Sequence, residues 1–474
     1  MKKDILVFLL FVTFIGFSFS PQIATFSPPG FLTDCLNLPN TPFNYADIDL
    51  PDFLNNELQD EDNTPAFNPI TDEGATLGRV LFYDQKLSAN DEISCASCHP
   101  QELAFSDPDQ FSTGFEGGLT PRNSMNLSNA RFYENGHFFW DERAGTLEEQ
   151  VLLPIQDGIE MGMDLTDLEI KLAATDYYPD LFAAAFGTSE VSSERIAFAL
   201  SQFVRSLVSY ESKYDVGRAE VGGGGSMAQL MPFPNFTDEE NEGKDIFFNQ
   251  TRGNCDACHQ GDLQTSIDPR NNGLYLMYED QGVGAISGQQ NDNGKFKVPS
   301  LRNIELTAPY MHDGSIETLE DVVQHYDNGV LPHPALAPQL RMDGPGSAPK
   351  NLGLTFAEKD ALVAFLKTLT DTIFTTEERF SDPFCLDTGI EDIFENQRVK
   401  IFPNPFSFST KLVIEGEWQR FKILEISNVN GQVLFSEIID SEVIEIFKKD
   451  LVSGFYFVKL KGEAGQIVRR IVVE

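Results

Sequence analysis

One pentapeptide constrains this chain more than any other feature, and it occurs twice: Cys95-Ala96-Ser97-Cys98-His99 and Cys255-Asp256-Ala257-Cys258-His259. Cys-x-x-Cys-His is the attachment sequence of c-type haem. The chemistry sets the spacing. Two thiols add to the two vinyl groups of the macrocycle, and the adjacent imidazole binds the iron from one face. A structural zinc site built from two Cys-x-x-Cys pairs is the competing reading. Such pairs usually stand about 15–20 residues apart, and Cys98 and Cys255 are far more distant than that. With 6 His in 474 residues, a His directly after both pairs by chance is remote. Two covalent haems follow, held by Cys95, Cys98 and His99 and by Cys255, Cys258 and His259.

The length allows two or three domains, each with its own core. A net charge of −39 argues against nucleic acid and anionic membrane as partners, and favours a soluble protein or one that meets a basic redox partner. Lys2 and Lys3 precede an apolar run, Ile5 to Phe17, and the small residues Ser18 and Ser20, so residues 1–20 read as a signal peptide. That run is too short to cross a membrane, and no other stretch is long and apolar enough to do so. Export agrees with haem attachment outside the cytoplasm. Cys35 and Cys385 flank the haem region. They form one disulfide in an oxidising compartment or remain two unrelated thiols.

Residues 21–65, rich in Pro, Asn and Asp, read as an irregular extension. From Thr71 the pattern turns helical, with Leu77, Val80, Leu81 and Phe82 ahead of the first haem motif. Residues 100–135 read as a loop. Capping boxes at Thr166-x-x-Glu169, Thr237-x-x-Glu240 and Thr355-x-x-Glu358, and Thr318-x-x-Asp321, open helices. A longer helix follows Ser192, with Ile196, Leu200, Phe203 and Leu207 on one face, and the last predicted helix carries Leu362, Phe365, Leu366 and Leu369. Gly222 to Gly225 and Ser226 make a flexible break. A Gly and then a Phe precede each haem motif (Gly78 and Phe82, Gly243 and Phe247), a weak internal repeat of two cytochrome c-like units.

After Glu391 the texture changes. Phe402-Pro403-Asn404-Pro405 leads into short alternating runs at 411–414, 421–426, 433–438 and 455–460, with Asn430-Gly431 as a hairpin signal. Residues 398–474 resemble the C-terminal sorting domain of bacterial type IX secretion, which implies a delivery tag read by that machinery.

Between the haem motifs lie Phe138-Phe139-Trp140-Asp141-Glu142-Arg143, Gln150, and Glu160 within Ile159-Glu160-Met161-Gly162. After the second come Val298-Pro299-Ser300-Leu301-Arg302-Asn303 and Thr307-Ala308-Pro309-Tyr310-Met311-His312-Asp313-Gly314. In that order, from about residue 66 to 380, these segments resemble the bacterial diheme cytochrome c peroxidases and their relative, the diheme oxidase of methylamine utilisation. The resemblance implies a mainly α fold of two cytochrome c-like haem domains, a peroxidatic one over 66–236 and an electron-transfer one over 237–390, followed by the small all-β, sandwich-like module. It implies reduction of hydrogen peroxide with electrons from a small donor protein. Glu160 is the expected acid–base above the His99 haem, Gln150 its neighbour, and Trp140 the ring between the haems. Asn123 and the carbonyls of Thr307 and Pro309 are the expected calcium ligands, oxygen atoms that suit that ion. On residues alone, Glu160 also fits a solvated surface acid, Trp140 core packing, and Asn123 a turn cap.

Two departures stand out. Many of these peroxidases block the first iron with a His from the following loop, yet no His lies between His99 and His137, and His137 itself reads as structural. Met125, Tyr133 and the carboxylates are the weaker ligands that stretch offers. Where a Met would bind the second iron, this chain has Tyr326, as the methylamine-type oxidase does. Leu319, Val322 and Tyr326 share a helical face, so Tyr326 points inward, either to the iron or as an ordinary core residue. Met311, Met342, His325 and His333 are the alternative ligands. An oxidase that modifies a protein, and a diheme electron carrier without turnover, are the competing functions.

Overall fold

The structure, a computed structural model, describes residues 36–384 and 398–473, apart from 59–60, 223–225, 416–418, 420, 429–432, 450 and 463–464. The predicted signal peptide, Cys35, Cys385 and the Asn430-Gly431 turn lie outside the described residues, as do Gly223 to Gly225. Next to the two cysteines, Leu36 and Phe384 form an antiparallel bridge, and Asn37 N donates to Pro383 O at 2.7 Å. The described residues fall into two compact units, 36–384 and 398–473.

The first unit is built on two helix pairs that repeat each other. Helix α1 (Asp72–Tyr83) packs on α2 (Ser193–Ser206), and α3 (Asp238–Phe248) packs on α4 (Phe356–Lys367). Each crossing is close because one helix presents a glycine. An added Cβ at Gly78 would lie 1.9 Å from Ala199 O, and one at Gly243 would lie 1.8 Å from Ala361 O. A phenylalanine seals each crossing: Phe82 stands 5.3 Å from Phe203, and Phe247 stands 5.2 Å from Phe365, between ring centroids. The connection after each pair repeats too. Asn129 N donates to Leu207 O and Asn303 N to Leu369 O, with both asparagines in the left-handed region. Paired Gly and Phe positions in the sequence thus mark a structural duplication.

Most helix starts follow the sequence. Thr71 accepts from Gly74 N, Ser192 from Arg195 N and Thr318 from Asp321 N, while Thr237 and Thr355 close full capping boxes with Glu240 and Glu358. Thr166 is the exception. The helix Leu165–Ala173 is capped two residues earlier by Asp164, which accepts from Thr166 N and Asp167 N. A carboxylate outcompetes a hydroxyl for those donors, and Glu169 is spent on Ser193 N instead.

The helices leave long connections, so helix accounts for only 34% of the described residues and the expectation of a mainly α protein is not confirmed. Long connections over 104–146 and 271–318, holding only short helical turns and one short strand, supply many residues of the cavity walls described below. The stretch ahead of α1 is also less irregular than its composition implied. It forms a helix, Asp52–Leu58, and drives Tyr45 fully into the core of the first pair, where its hydroxyl donates to Arg379 O at 2.6 Å. Phe374 and Phe380 return from the far end of the unit to that same core. The second core takes Tyr214 and Phe233 from before α3. Strands β1 (Ser266–Arg270) and β2 (Phe296–Val298) form an antiparallel pair in this half.

The second unit is all β. Strands β3 (Arg398–Phe402), β4 (Ser409–Glu415) and β7 (Val443–Phe447) form one antiparallel sheet in the order β3-β4-β7. Strands β5 (Phe421–Ser427), β6 (Val433–Ile438), β8 (Gly454–Gly462) and β9 (Gly465–Val473) form the other, ordered β6-β5-β8-β9. Alternation puts Leu412 and Ile414, Leu424 and Ile426, and Tyr456, Val458 and Leu460 inward, and both sheets share one core. No helix among the described residues is long and apolar enough to cross a membrane.

The glycine crossings give a direct test. Gly78→Ala and Gly243→Ala should each lower the thermal midpoint, by about 1–3 kcal/mol of stability, because a methyl group must displace a helix backbone rather than a side-chain tip. Thermal unfolding followed by circular dichroism reads the shift, and an unchanged midpoint would mean that the crossing is looser than described.

Candidate functional site

Both haem-motif histidines are held in the same way. Cys95–Cys98 is one helical turn, and His99 N donates to Cys95 O at 3.0 Å. The chain then turns through Ala104 and Phe105, both at positive φ, which aims Phe105 O at His99 Nδ1, 2.7 Å away. In the second motif His259 N donates to Cys255 O at 2.9 Å, and Gln264, again at positive φ, brings its carbonyl to 3.2 Å from His259 Nδ1. A carbonyl only accepts, so Nδ1 carries the proton and Nε2 keeps its lone pair. This is how a metal-ligating imidazole is oriented. Burial lowers the pKa of both rings, that of His259 to about 4, so neither is charged at neutral pH.

Each ring opens on a cavity. The His99 cavity, about 620 Å³, is lined by Gln150, Glu160, Trp140, Arg143, Asp157 and Met125. The His259 cavity, about 420 Å³, is lined by Cys255, Cys258, Phe247, Leu362, Leu366 and Tyr326. Both volumes lie within the roughly 300–1,000 Å³ range of ligand sites. A haem is a flat apolar disc with two carboxylates, and the second cavity meets both halves of that description. Its walls include apolar side chains of α3 and α4, and Arg270 Nε is buried there without a partner. Among the described residues no group of three or more His, Cys, Asp or Glu could hold a metal ion, so the zinc reading has no site.

Glu160 and Gln150 share the His99 cavity, although no described hydrogen bond joins them. Burial raises the Glu160 carboxyl to about 7; the Asp157 charge adds to the rise and Arg143 opposes it. A carboxyl near 7 is poised to take and return a proton. Trp140 lines both cavities, and its Nε1 donates to Asn123 O at 2.8 Å.

The candidate ligands for the second iron separate. Tyr326 lines the His259 cavity within a single π-helical turn, His325–Gly329. Burial, with Cys258 adding to it, holds the Tyr326 hydroxyl above its usual range. Met311 lines the cavity too, but its Sδ takes a hydrogen bond from Asn272 Nδ2 at 3.2 Å. Met342 is a lining residue that is largely exposed. His325 Nε2 lies 3.1 Å from Asn272 O, His333 Nδ1 accepts from Ala335 N, and neither lines the cavity.

Asn123, Thr307 and Pro309 each line the His259 cavity. Asn123 Nδ2 is spent on the carbonyls of Asp109 and Gln110 at 3.2 and 3.3 Å. No described hydrogen bond uses Asn123 Oδ1 or the Thr307 and Pro309 carbonyls.

In the loop after the first motif, Met125 lines the His99 cavity, while Tyr133 donates its hydroxyl to Glu142. His137 is exposed and lines neither cavity. Two charged features escaped the sequence reading. Arg122 clamps Asp141 at 2.7 Å and Asp280 at 2.6 Å, which ties the Trp140 segment to the β1–β2 connection. Lys297 lines both cavities, and its backbone N donates to Trp140 O at 2.8 Å. The signals were present: Asp141 sits inside the Trp-Asp-x-Arg segment, and Lys297 directly precedes Val298-Pro299-Ser300.

Known proteins share this arrangement of sequence and fold. Residues 72–220 match the family described as di-haem cytochrome c peroxidase, and residues 400–474 match the secretion system C-terminal sorting domain. The chain is 33% identical over 314 residues to the methylamine utilization protein MauG of Methylophilus methylotrophus, a match covering 64% of this chain and 84% of that one. It is 32% identical over 309 residues to the cytochrome c551 peroxidase of Nitrosomonas europaea, covering 64% and 82%. Among solved structures, a MauG-like protein associated with microbial copper homeostasis superposes with a TM-score of 0.60 at 35% identity, covering 71% of this chain and 99% of that one.

Proposed function

The chain belongs to the di-haem cytochrome c peroxidase family, and from that premise we propose that it reduces hydrogen peroxide to water with electrons from a small redox protein. The family implies two c-type haems, and the sorting domain marks an exported protein. Delivery by the type IX machinery is part of the proposal. The observation that carries the catalytic reading is Glu160, a carboxyl raised to about 7 in the cavity that His99 faces.

When bound, each haem supplies a redox-active iron; the chain supplies the rest. Cys95, Cys98 and His99 hold the catalytic haem. Cys255, Cys258 and His259 hold the electron-receiving one, with Tyr326 as its second protein ligand. Glu160 accepts a proton from peroxide and returns one to the departing oxygen, so that water leaves. Gln150 flanks the substrate in the same cavity. Trp140, common to both cavities, shortens the electron path between them. Asn123, Thr307 and Pro309 offer oxygen ligands to a calcium ion. The division into domains at 66–236 and 237–390 goes with this assignment of two haem sites.

A second reading is an oxidase that modifies a protein. Tyr326, rather than a methionine, at the second haem cavity favours it, as does the lack of His between His99 and His137. Turnover of peroxide with a reduced cytochrome separates either enzyme from a diheme carrier.

Glu160 must be ionised to act as a base, and with its pKa raised to about 7 its ionised fraction grows through that value. The peroxide kcat/KM should therefore rise with pH through about 7. Glu160→Gln should remove that rise and cost about 10²–10⁴-fold in rate. Parent-level turnover with both haems intact would take the role from Glu160.

A phenolate is a hard anionic ligand that favours ferric iron. Tyr326→Phe should change the absorption spectrum of the His259 haem alone and raise its midpoint potential. An unchanged spectrum in spectroelectrochemistry would transfer the ligand role to Met311 or Met342.

A further inference from the structure

An aromatic cluster leads from the His259 cavity to the surface, and the reaction described so far does not use it. Phe296 and His312 line the cavity and are stacked, their centroids 3.7 Å apart and their planes at 17°. Tyr278 lies 6.1 Å from Phe296 and 6.2 Å from His312. Tyr275 lies 5.6 Å from Tyr278 and 6.5 Å from His312, and it is 37% exposed. The cluster thus runs from a cavity wall to solvent without a gap larger than a ring-to-ring contact.

The outer ring has a proton acceptor in place. Tyr275 donates its hydroxyl to Asp313 Oδ2 at 2.5 Å, while Asp313 Oδ1 accepts from Ser315 N at 3.2 Å. Asp313 directly follows His312, so the residue that takes the phenol and the residue that stacks on the cavity wall belong to one loop. Losing an electron makes a phenol a strong acid, and a carboxylate already hydrogen-bonded to it can take the proton without rearrangement. Burial and Asp313 both hold the phenol protonated above its usual range.

We propose that Tyr275, paired with Asp313, is a redox-active tyrosine through which a soluble one-electron donor reduces the His259 haem after peroxide has oxidised the protein. This rests on the peroxidase reading. Tyr275 gives one electron inward along the cluster. Its O–H bond breaks as an O–H bond forms on Asp313 Oδ2, leaving a neutral tyrosyl radical. One electron from the donor and the proton returned by Asp313 restore the phenol. Two such rounds deliver the two electrons that one hydrogen peroxide takes.

The test is freeze-quench electron paramagnetic resonance on the haem-loaded full chain, mixed with one equivalent of peroxide and no donor, with haem absorption recorded in parallel. A tyrosyl signal is expected. It should be lost in Tyr275→Phe and should form more slowly in Asp313→Asn, which keeps the loop contact but removes the base. Spin-trap peptide mapping of the unmutated protein checks the same point without a variant, and the adduct should lie on Tyr275. If the haem bands respond to peroxide but the radical survives Tyr275→Phe, never forms, or is trapped only elsewhere, the inference is overturned and the peroxidase reading stands. If the haem bands do not respond at all, the peroxidase reading fails and takes the inference with it.

Discussion

The site depends on one interaction made twice: an imidazole Nδ1–H held by a backbone carbonyl. Phe105 O does this for His99 and Gln264 O for His259. Without that bond the ring is free to rotate and to change tautomer, and Nε2 is no longer a fixed, neutral donor. The bond in turn requires backbone at positive φ in Phe105 and Gln264, neither of them glycine. Such conformations cost on the order of 1–3 kcal/mol and persist where the surroundings over-determine them. Each turn is reinforced by the His N–H to Cys O bond, and the cysteines lock it covalently once haem is attached.

The duplicated helix pairs supply rigid backing to those turns. Gly78 and Gly243 let two helices approach until backbone meets backbone, and a phenylalanine closes each crossing. Between the two halves lie the residues that both cavities share, among them Trp140 and Lys297. Trp140 is anchored twice, through Nε1 to Asn123 O and through its own carbonyl to Lys297 N. That ring is therefore fixed on the wall common to both cavities.

Much of this was legible in the sequence because it is encoded locally. The haem pentapeptides, the capping boxes at Thr237 and Thr355, the Gly–Phe repeat and the alternation of the β unit are read within a few residues. What was not legible depends on long-range pairing. Thr166 satisfies the capping pattern, yet Asp164 is the cap because Glu169 is drawn away by Ser193. Tyr45 carries no periodic signal and becomes core because Arg379 O reaches it from the other end of the unit. The Arg122 clamp and the buried Lys297 join segments more than a hundred residues apart. That His325 and His333 are engaged by Asn272 O and Ala335 N, away from the cavity Tyr326 lines, was likewise not readable from their positions in the chain.

The central claim is a His99 iron that peroxide can reach, with Glu160 beside it. No histidine between His99 and His137 can close that face, and the Tyr133 hydroxyl is committed to Glu142. Met125 is the neutral side chain from that loop that could compete. The most direct measurement is stopped-flow absorption of the fully oxidised protein mixed with hydrogen peroxide, with electron paramagnetic resonance of the same sample before mixing. The account predicts a high-spin or water-bound His99 haem that reacts at once, with no prior reduction. Two low-spin haems, and no reaction until one electron has been added, would contradict it.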